Sequence, residues 1–227
     1  MLHVENLTVR HGNRLVLDRL SLTAVPGRVT ALIGAPGAGK TTFARCVAGA
    51  LTPESGQISL LGNDVREYDH TGRVVGGAHE PSSRSTGRAA AREVTDLLGL
   101  PSAVADAALE RVELGGVAAN RIETYPLGMR QRLALCLALL GNRPIVVLDE
   151  PFDRADLTTQ RVVHAVLSER AREGATVLVT SRDLRVLGAF ADDVVLLRDG
   201  RAQLDGTVAE LVVSHREDLY ASEMSTT

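Results

Sequence analysis

The sequence predicts an α/β protein with a largely parallel core sheet, and three observations carry that prediction. Apolar runs of strand length alternate with segments of helical periodicity, the pattern of parallel strands joined by helical crossovers. Gly34-Ala35-Pro36-Gly37-Ala38-Gly39-Lys40-Thr41 satisfies G-x-x-x-x-G-K-[ST] at every fixed position, between the apolar run Val29–Ile33 and a helical stretch at Thr42–Ala50. Ile145-Val146-Val147-Leu148 is apolar throughout, as a strand buried on both faces must be, and it ends in Asp149 and Glu150.

The elements follow in order. Residues 2–10 and 15–25 read as two strands around the turn His11-Gly12-Asn13-Arg14, and Pro26-Gly27 turns the chain into the strand at 29–33. After the helix at 42–50, Thr52–Gly56 breaks the chain, Gln57–Leu61 is a short strand, and Gly62-Asn63-Asp64 turns it. Val74-Val75 marks a further strand, and residues 81–88 read as a polar loop. The block 89–140 is helical. Val94, Leu97 and Leu98 share one face of a helix ending at Gly99. Val104, Ala108, Leu109 and Val112 share a face of a second, and Leu133, Leu137 and Leu140 of a third from about Leu127. A helix at 157–173 closes at Gly174, and a buried strand follows at 176–180. Asp199-Gly200 between Val194–Leu197 and Arg201–Leu204 signals a hairpin, and a short helix at 207–213 precedes a polar tail. The first strands and the 89–140 block are additions to the core sheet.

Composition narrows the function classes. Of 227 residues, 44% are hydrophobic, which supports a substantial core, while 3% are aromatic and the net charge is -3. A nucleic-acid partner, which calls for a basic surface or aromatic platforms, is not expected. No apolar run approaches the roughly 18 residues of a membrane span, and Met1–Glu5 has neither the basic start nor the apolar segment of a signal peptide. Cys46 and Cys136 both fall in predicted helices without a CxxC, as expected of reduced core residues in a cytoplasmic protein. Lys40 is the only lysine in a chain that otherwise uses arginine, so its compact ammonium stands at the one place where it fits between phosphates.

The chemistry of a P-loop NTPase core follows from these residues. Glycines let backbone N–H groups converge on phosphate oxygens, and a helix N-terminus adds its positive end. Gly34, Ala35, Pro36, Gly37, Ala38, Gly39, Lys40, Thr41 and Thr42 are the candidate nucleotide contacts, with Lys40 reaching the β- and γ-phosphates and Thr41 ligating Mg²⁺. Asp149 is placed to hold Mg²⁺ through water, and Glu150 to orient or deprotonate the attacking water. The expected cofactors are ATP and Mg²⁺.

At this point the sequence resembles the nucleotide-binding subunit of an ABC transporter over nearly its whole length. Gly34–Thr41 matches the family's Walker A motif, and Ile145–Glu150 its Walker B with the catalytic glutamate. Tyr125-Pro126-Leu127-Gly128-Met129-Arg130-Gln131-Arg132 stands at the signature and is similar to a version found in bacterial drug exporters. Asp156 stands at the end of the family's D-loop. The resemblance implies one ABC ATPase domain over residues 1–227, with an N-terminal antiparallel β subdomain and an inserted helical subdomain at about 81–140. It implies a head-to-tail dimer in which Gly128 faces the nucleotide of the other subunit. The sequence departs from the family at four places. Pro126 replaces the signature serine, and Arg182 replaces the switch histidine, with its guanidinium in reach of the γ-phosphate. Glu80 stands at the glutamine that helps hold the metal, and His11 stands where an aromatic ring stacks on adenine.

The same resemblance implies a peripheral protein on the inner face of the cell membrane, bound to a transmembrane permease subunit through residues near 81–95. It pairs with itself or with a second ATPase subunit. The leading expectation is the ATP-hydrolysing subunit of an exporter. A nucleotide-sensing module with very weak hydrolysis and a soluble ABC ATPase outside transport are the alternatives.

Overall fold

The structure, a computed structural model, describes residues 1–65, 73–76, 83–187 and 190–207. A six-stranded sheet forms the core in the order β10-β9-β3-β8-β7-β6. Its strands are β3 (Val29–Ile33), β6 (Arg73–Gly76), β7 (Ile145–Leu148), β8 (Thr176–Ser181), β9 (Asp193–Arg198) and β10 (Arg201–Thr207). The pairings from β6 through β9 are parallel, and β10 joins antiparallel through a two-residue turn. Asp199 and Gly200 both have positive φ in that turn, as a tight hairpin demands. A second sheet, antiparallel in the order β2-β1-β4-β5, is built from β1 (Leu2–His11), β2 (Arg14–Ala24), β4 (Ser55–Leu60) and β5 (Asn63–Asp64).

The continuous apolar runs have a simple cause. Side chains alternate across a strand, and each face of the parallel sheet meets its own core. Ala31, Val146, Leu148, Val177 and Val179 pack with the helices α2 (Gly87–Leu97), α3 (Ser102–Arg111), α4 (Leu127–Leu139) and α5 (Leu157–Arg172). Leu32, Ile145, Val147 and Leu178 face α1 (Lys40–Val47) and the antiparallel sheet. The two sheets are also tied directly, by Asp18 N–H donating to Gly200 O at 2.9 Å.

Some expectations shift. The first helix begins at Lys40, two residues earlier than read, because Phe43 N–H already bonds Gly39 O at 2.9 Å. Helix α2 begins at Gly87, inside the expected loop, because Thr86 Oγ1 caps it by accepting from Ala89 N–H at 3.1 Å. Leu97 does not share the core face with Val94 and Leu98: it is 81% exposed while those two pack on the core. Val104 is likewise exposed although Leu109 and Val112 are buried. A short helix α6 (Leu184–Leu187) follows β8, where the sequence shows no helical signal. The helix expected at 207–213, Glu80 and residues 81–82 lie outside the described residues, and Thr207 itself ends β10.

Candidate nucleotide-binding site

The loop between β3 and α1 needs its glycines for identifiable reasons. Gly37 and Gly39 sit at φ +81° and +111°, where a side chain is strained, and a Cβ on Gly39 would meet Leu17 Cδ2 at 2.7 Å. A Cβ on Gly34 would meet Leu197 O at 2.5 Å, so the loop lies close against β9. Ala35, Pro36, Gly37 and Thr41 are exposed, whereas Thr42 is buried beneath them. Lys40 is only 4% exposed. Its Nζ donates to Gly34 O at 2.7 Å and Ala35 O at 3.1 Å, and lies 3.0 Å from Glu150 Oε1.

Asp149 and Glu150 leave the end of β7 with partners from β8. Thr180 Oγ1 donates to Asp149 Oδ1 at 2.7 Å and accepts from Glu150 N–H at 2.9 Å. Glu150 has φ +50°. Arg182 pairs with Asp153, and its Nε stands 4.0 Å from Glu150 Oε2. Lys40, Asp149, Glu150, Thr180, Arg182 and Asp153 thus form one connected group drawn from three chain segments.

A cavity of about 580 Å³ opens in front of Gly34–Ala38. Its other walls are Arg14, Leu15 and Val16 of β2, and Leu196–Gly200 with Gln203 from the last hairpin. His11, expected against the base, is exposed and absent from this lining. Arg14, its cross-strand partner, takes the place instead. The longer side chain reaches the loop: its guanidinium stands 4.0 Å from a Cβ built on Gly37.

Residues 17–153 match the sequence family described as ABC transporter. A protein of Halobacterium salinarum, named as an ABC transporter ATP-binding protein, is 33% identical over 220 residues, 93% of this chain and 95% of its own length. The chain belongs to the ABC transporter family. It is an ATP-binding subunit of that family and a P-loop ATPase. The thiamine import ATP-binding protein of a Jannaschia species is 31% identical over 227 residues, 96% of this chain and 98% of that one. A solved structure titled as the ATP binding subunit of an ABC transporter superimposes with a TM-score of 0.85, covering 98% of both chains at 22% identity, which speaks to the fold. ATP-binding subunits of this family work with a transmembrane permease. Among the described residues, no helix of this one is long and apolar enough to cross a membrane.

Tyr125–Arg132, the segment expected at the family's signature, leads into helix α4. Pro126 is the N-cap of α4, with no side-chain bond to the helix start. Gly128 packs on the start of α5, where a Cβ would meet Thr159 Oγ1 at 2.6 Å and Asp156 Oδ2 at 2.8 Å. Asp156 caps α5 by accepting from Thr159 N–H at 2.7 Å, and that bond lowers its carboxyl below the ordinary range. Gln131 of the signature donates to Asp153 O at 2.7 Å, so the carbonyl of Asp153 meets the signature while its carboxylate meets Arg182. Both cysteines are free and buried, and burial pushes their thiols up to about 11 for Cys46 and about 12 for Cys136, so neither is a nucleophile at neutral pH.

Three residues of the site were passed over in the sequence: Thr180, Arg14 and Asp153. Thr180 carries the one usable signal, a hydroxyl at the carboxyl end of the buried apolar run Val177–Val179.

Proposed function

We propose that this subunit binds ATP with Mg²⁺ through Gly34–Thr42 and hydrolyses it with Glu150 as general base, driving a separate membrane permease in the export direction. The observation that carries this reading is the 3.0 Å contact between Lys40 Nζ and Glu150 Oε1. It brings the ammonium suited to the β- and γ-phosphates and the carboxylate suited to the water to one point. When triphosphate takes the ammonium, Glu150 is released to accept a proton from the attacking water. Thr41 and Asp149 offer hard oxygen donors that fit Mg²⁺, with Glu80 as a third in this reading. Bound there, Mg²⁺ would supply positive charge to offset that of the triphosphate. Arg182 turns its guanidinium from Asp153 toward the γ-phosphate. Leu15 and Val16 supply an apolar wall for the base, beside Arg14.

Two copies, or this chain and a second ATPase subunit, close head to tail so that Gly128 of each offers its backbone N–H to the nucleotide of the other. The permease docks near residues 81–95, which holds the subunit on the inner membrane face. The export direction rests on the Leu127–Arg132 version of the signature.

A second reading, a nucleotide sensor with very weak turnover, is favoured by Pro126, which offers neither hydroxyl nor N–H at the start of α4. Glu150→Gln tests both readings in the complex purified with its membrane subunit. The variant is expected to keep ATP, lose turnover and accumulate an ATP-bound dimer. Wild-type turnover in the variant removes Glu150 as the base, and a wild-type complex that binds ATP without turning it over selects the sensor.

A further inference from the structure

We propose that Thr180 is the positioning residue for both carboxylates at the end of β7, and that its hydroxyl is required for hydrolysis but not for nucleotide binding. The proposal rests on the reading of Asp149 and Glu150 given above and adds a residue from another strand.

Thr180 lies in β8, paired with β7 on one side and β3 on the other, and is fully buried. A hydroxyl has one donor and two acceptor sites. Glu150 N–H can only donate, so it occupies a lone pair of Oγ1, at 2.9 Å. The hydroxyl proton is then committed to Asp149 Oδ1, at 2.7 Å. One side chain therefore sets two consecutive residues at once. The buried hydroxyls of Thr30 and Thr176, in the same sheet, have no partner among the described residues. A threonine placed merely for β-propensity does not need its hydroxyl here, and Thr180 uses its own twice.

The backbone explains why such a clamp is needed. Glu150 sits at φ +50°, a conformation uncommon and costly for a residue with a side chain. Its N–H is held by Thr180, and its C=O accepts from Asp153 N–H at 3.0 Å. Between those two bonds the carboxylate is delivered to Lys40 Nζ. The β-branched side chain suits the role, because its χ1 is stiff and keeps the hydroxyl aimed. Without the hydroxyl, the strained turn relaxes and Glu150 loses its direction. The phosphate loop hangs from β3 and α1 and keeps its own bonds.

The test uses the full chain with Thr180→Val, which keeps the shape and removes the hydroxyl, and Thr180→Ser, which keeps the hydroxyl. Three quantities are read: affinity for a fluorescent ATP analogue, steady-state kcat, and hydrogen exchange of the Glu150 amide without nucleotide. Residues that orient a ligating or reacting group typically matter about 10–100-fold. Thr180→Val is expected to lower kcat by about that factor with affinity within about 3-fold, and to speed exchange at Glu150. Thr180→Ser is expected to stay near wild type in all three. Full turnover in Thr180→Val overturns the proposal. So does an equal loss in Thr180→Ser, which makes the role one of packing, or a joint loss of binding and turnover in Thr180→Val. A wild-type chain without hydrolysis would overturn the reading of the site instead. The exchange measurement then decides this inference by itself, since unchanged protection of the Glu150 amide in Thr180→Val refutes it.

Discussion

Removing the Arg182 side chain separates two accounts of that residue, because they differ in which quantity changes. Arg182 is 51% exposed and its partner Asp153 38%, so water screens their ion pair. Pairs of this exposure contribute about 0.2–1 kcal/mol. In a chain of this size, 1 kcal/mol moves Tm by about 2–4 °C. Arg182→Ala is therefore expected to lower Tm by no more than about 4 °C. Turnover responds far more if the guanidinium meets developing charge on the γ-phosphate, since one preorganised donor at such a site matters about 10²–10³-fold. Thermal unfolding and steady-state ATPase on one preparation measure both. A drop in Tm with wild-type turnover would make Arg182 a surface ion-pair residue and refute the catalytic assignment. The converse substitutions sharpen the test. Pro126→Ser and Arg182→His restore the hydroxyl and imidazole of the family pattern, and in a homodimer the double variant is expected to turn over faster than wild type and than either single change. A wild-type homodimer already running at several per second, a usual enzyme rate, with no gain from either change, would show that neither departure slows it.

The remaining predictions concern binding, pH and docking. Lys40→Ala strips the buried cation from Gly34 O, Ala35 O and Glu150; ATP affinity is expected to fall at least about 100-fold, as the loss of several charge-assisted bonds implies, and unchanged affinity on titration contradicts the phosphate-loop assignment. Asp156 has a depressed carboxyl in the folded chain because Thr159 N–H bonds it, so the stability it adds is present above its unfolded value near 4 and is lost as pH falls through the lower folded value. The Tm gap between wild type and Asp156→Ala should accordingly be open at pH 7 and close in acid, which melts across that range will check. Crosslinkers placed near residues 81–95, where Ala89, Arg92 and Glu93 of α2 line a surface groove, are expected to reach the membrane subunit; crosslinks confined to the C-terminal tail count against that docking site.

Local chemistry was enough to read much of this protein. The phosphate loop depends on glycines within eight residues of each other, the apolar runs at 29–33, 145–148 and 176–180 report burial on both faces, and Asp199-Gly200 dictates its own turn. Each is an interaction between near neighbours, so it leaves a periodicity or a motif. Strand order leaves no such mark. The sequence does not reveal that β8 inserts between β3 and β7, yet that insertion brings Thr180 and Arg182 to Asp149 and Glu150. Nor does helical spacing tell which apolar residue the neighbouring helices leave uncovered, and Leu97 stays in water although Val94 and Leu98 do not. Arg14 and His11 are separated by a two-residue turn, and side-chain reach toward Gly37, a distance through space, decides which of them lines the cavity. Motifs reveal residues that act through their sequence neighbours, whereas partners brought together by sheet pairing 30 or 148 residues away are decided only when the strands assemble, because that choice minimises exposed apolar surface and unpaired backbone over the whole chain at once.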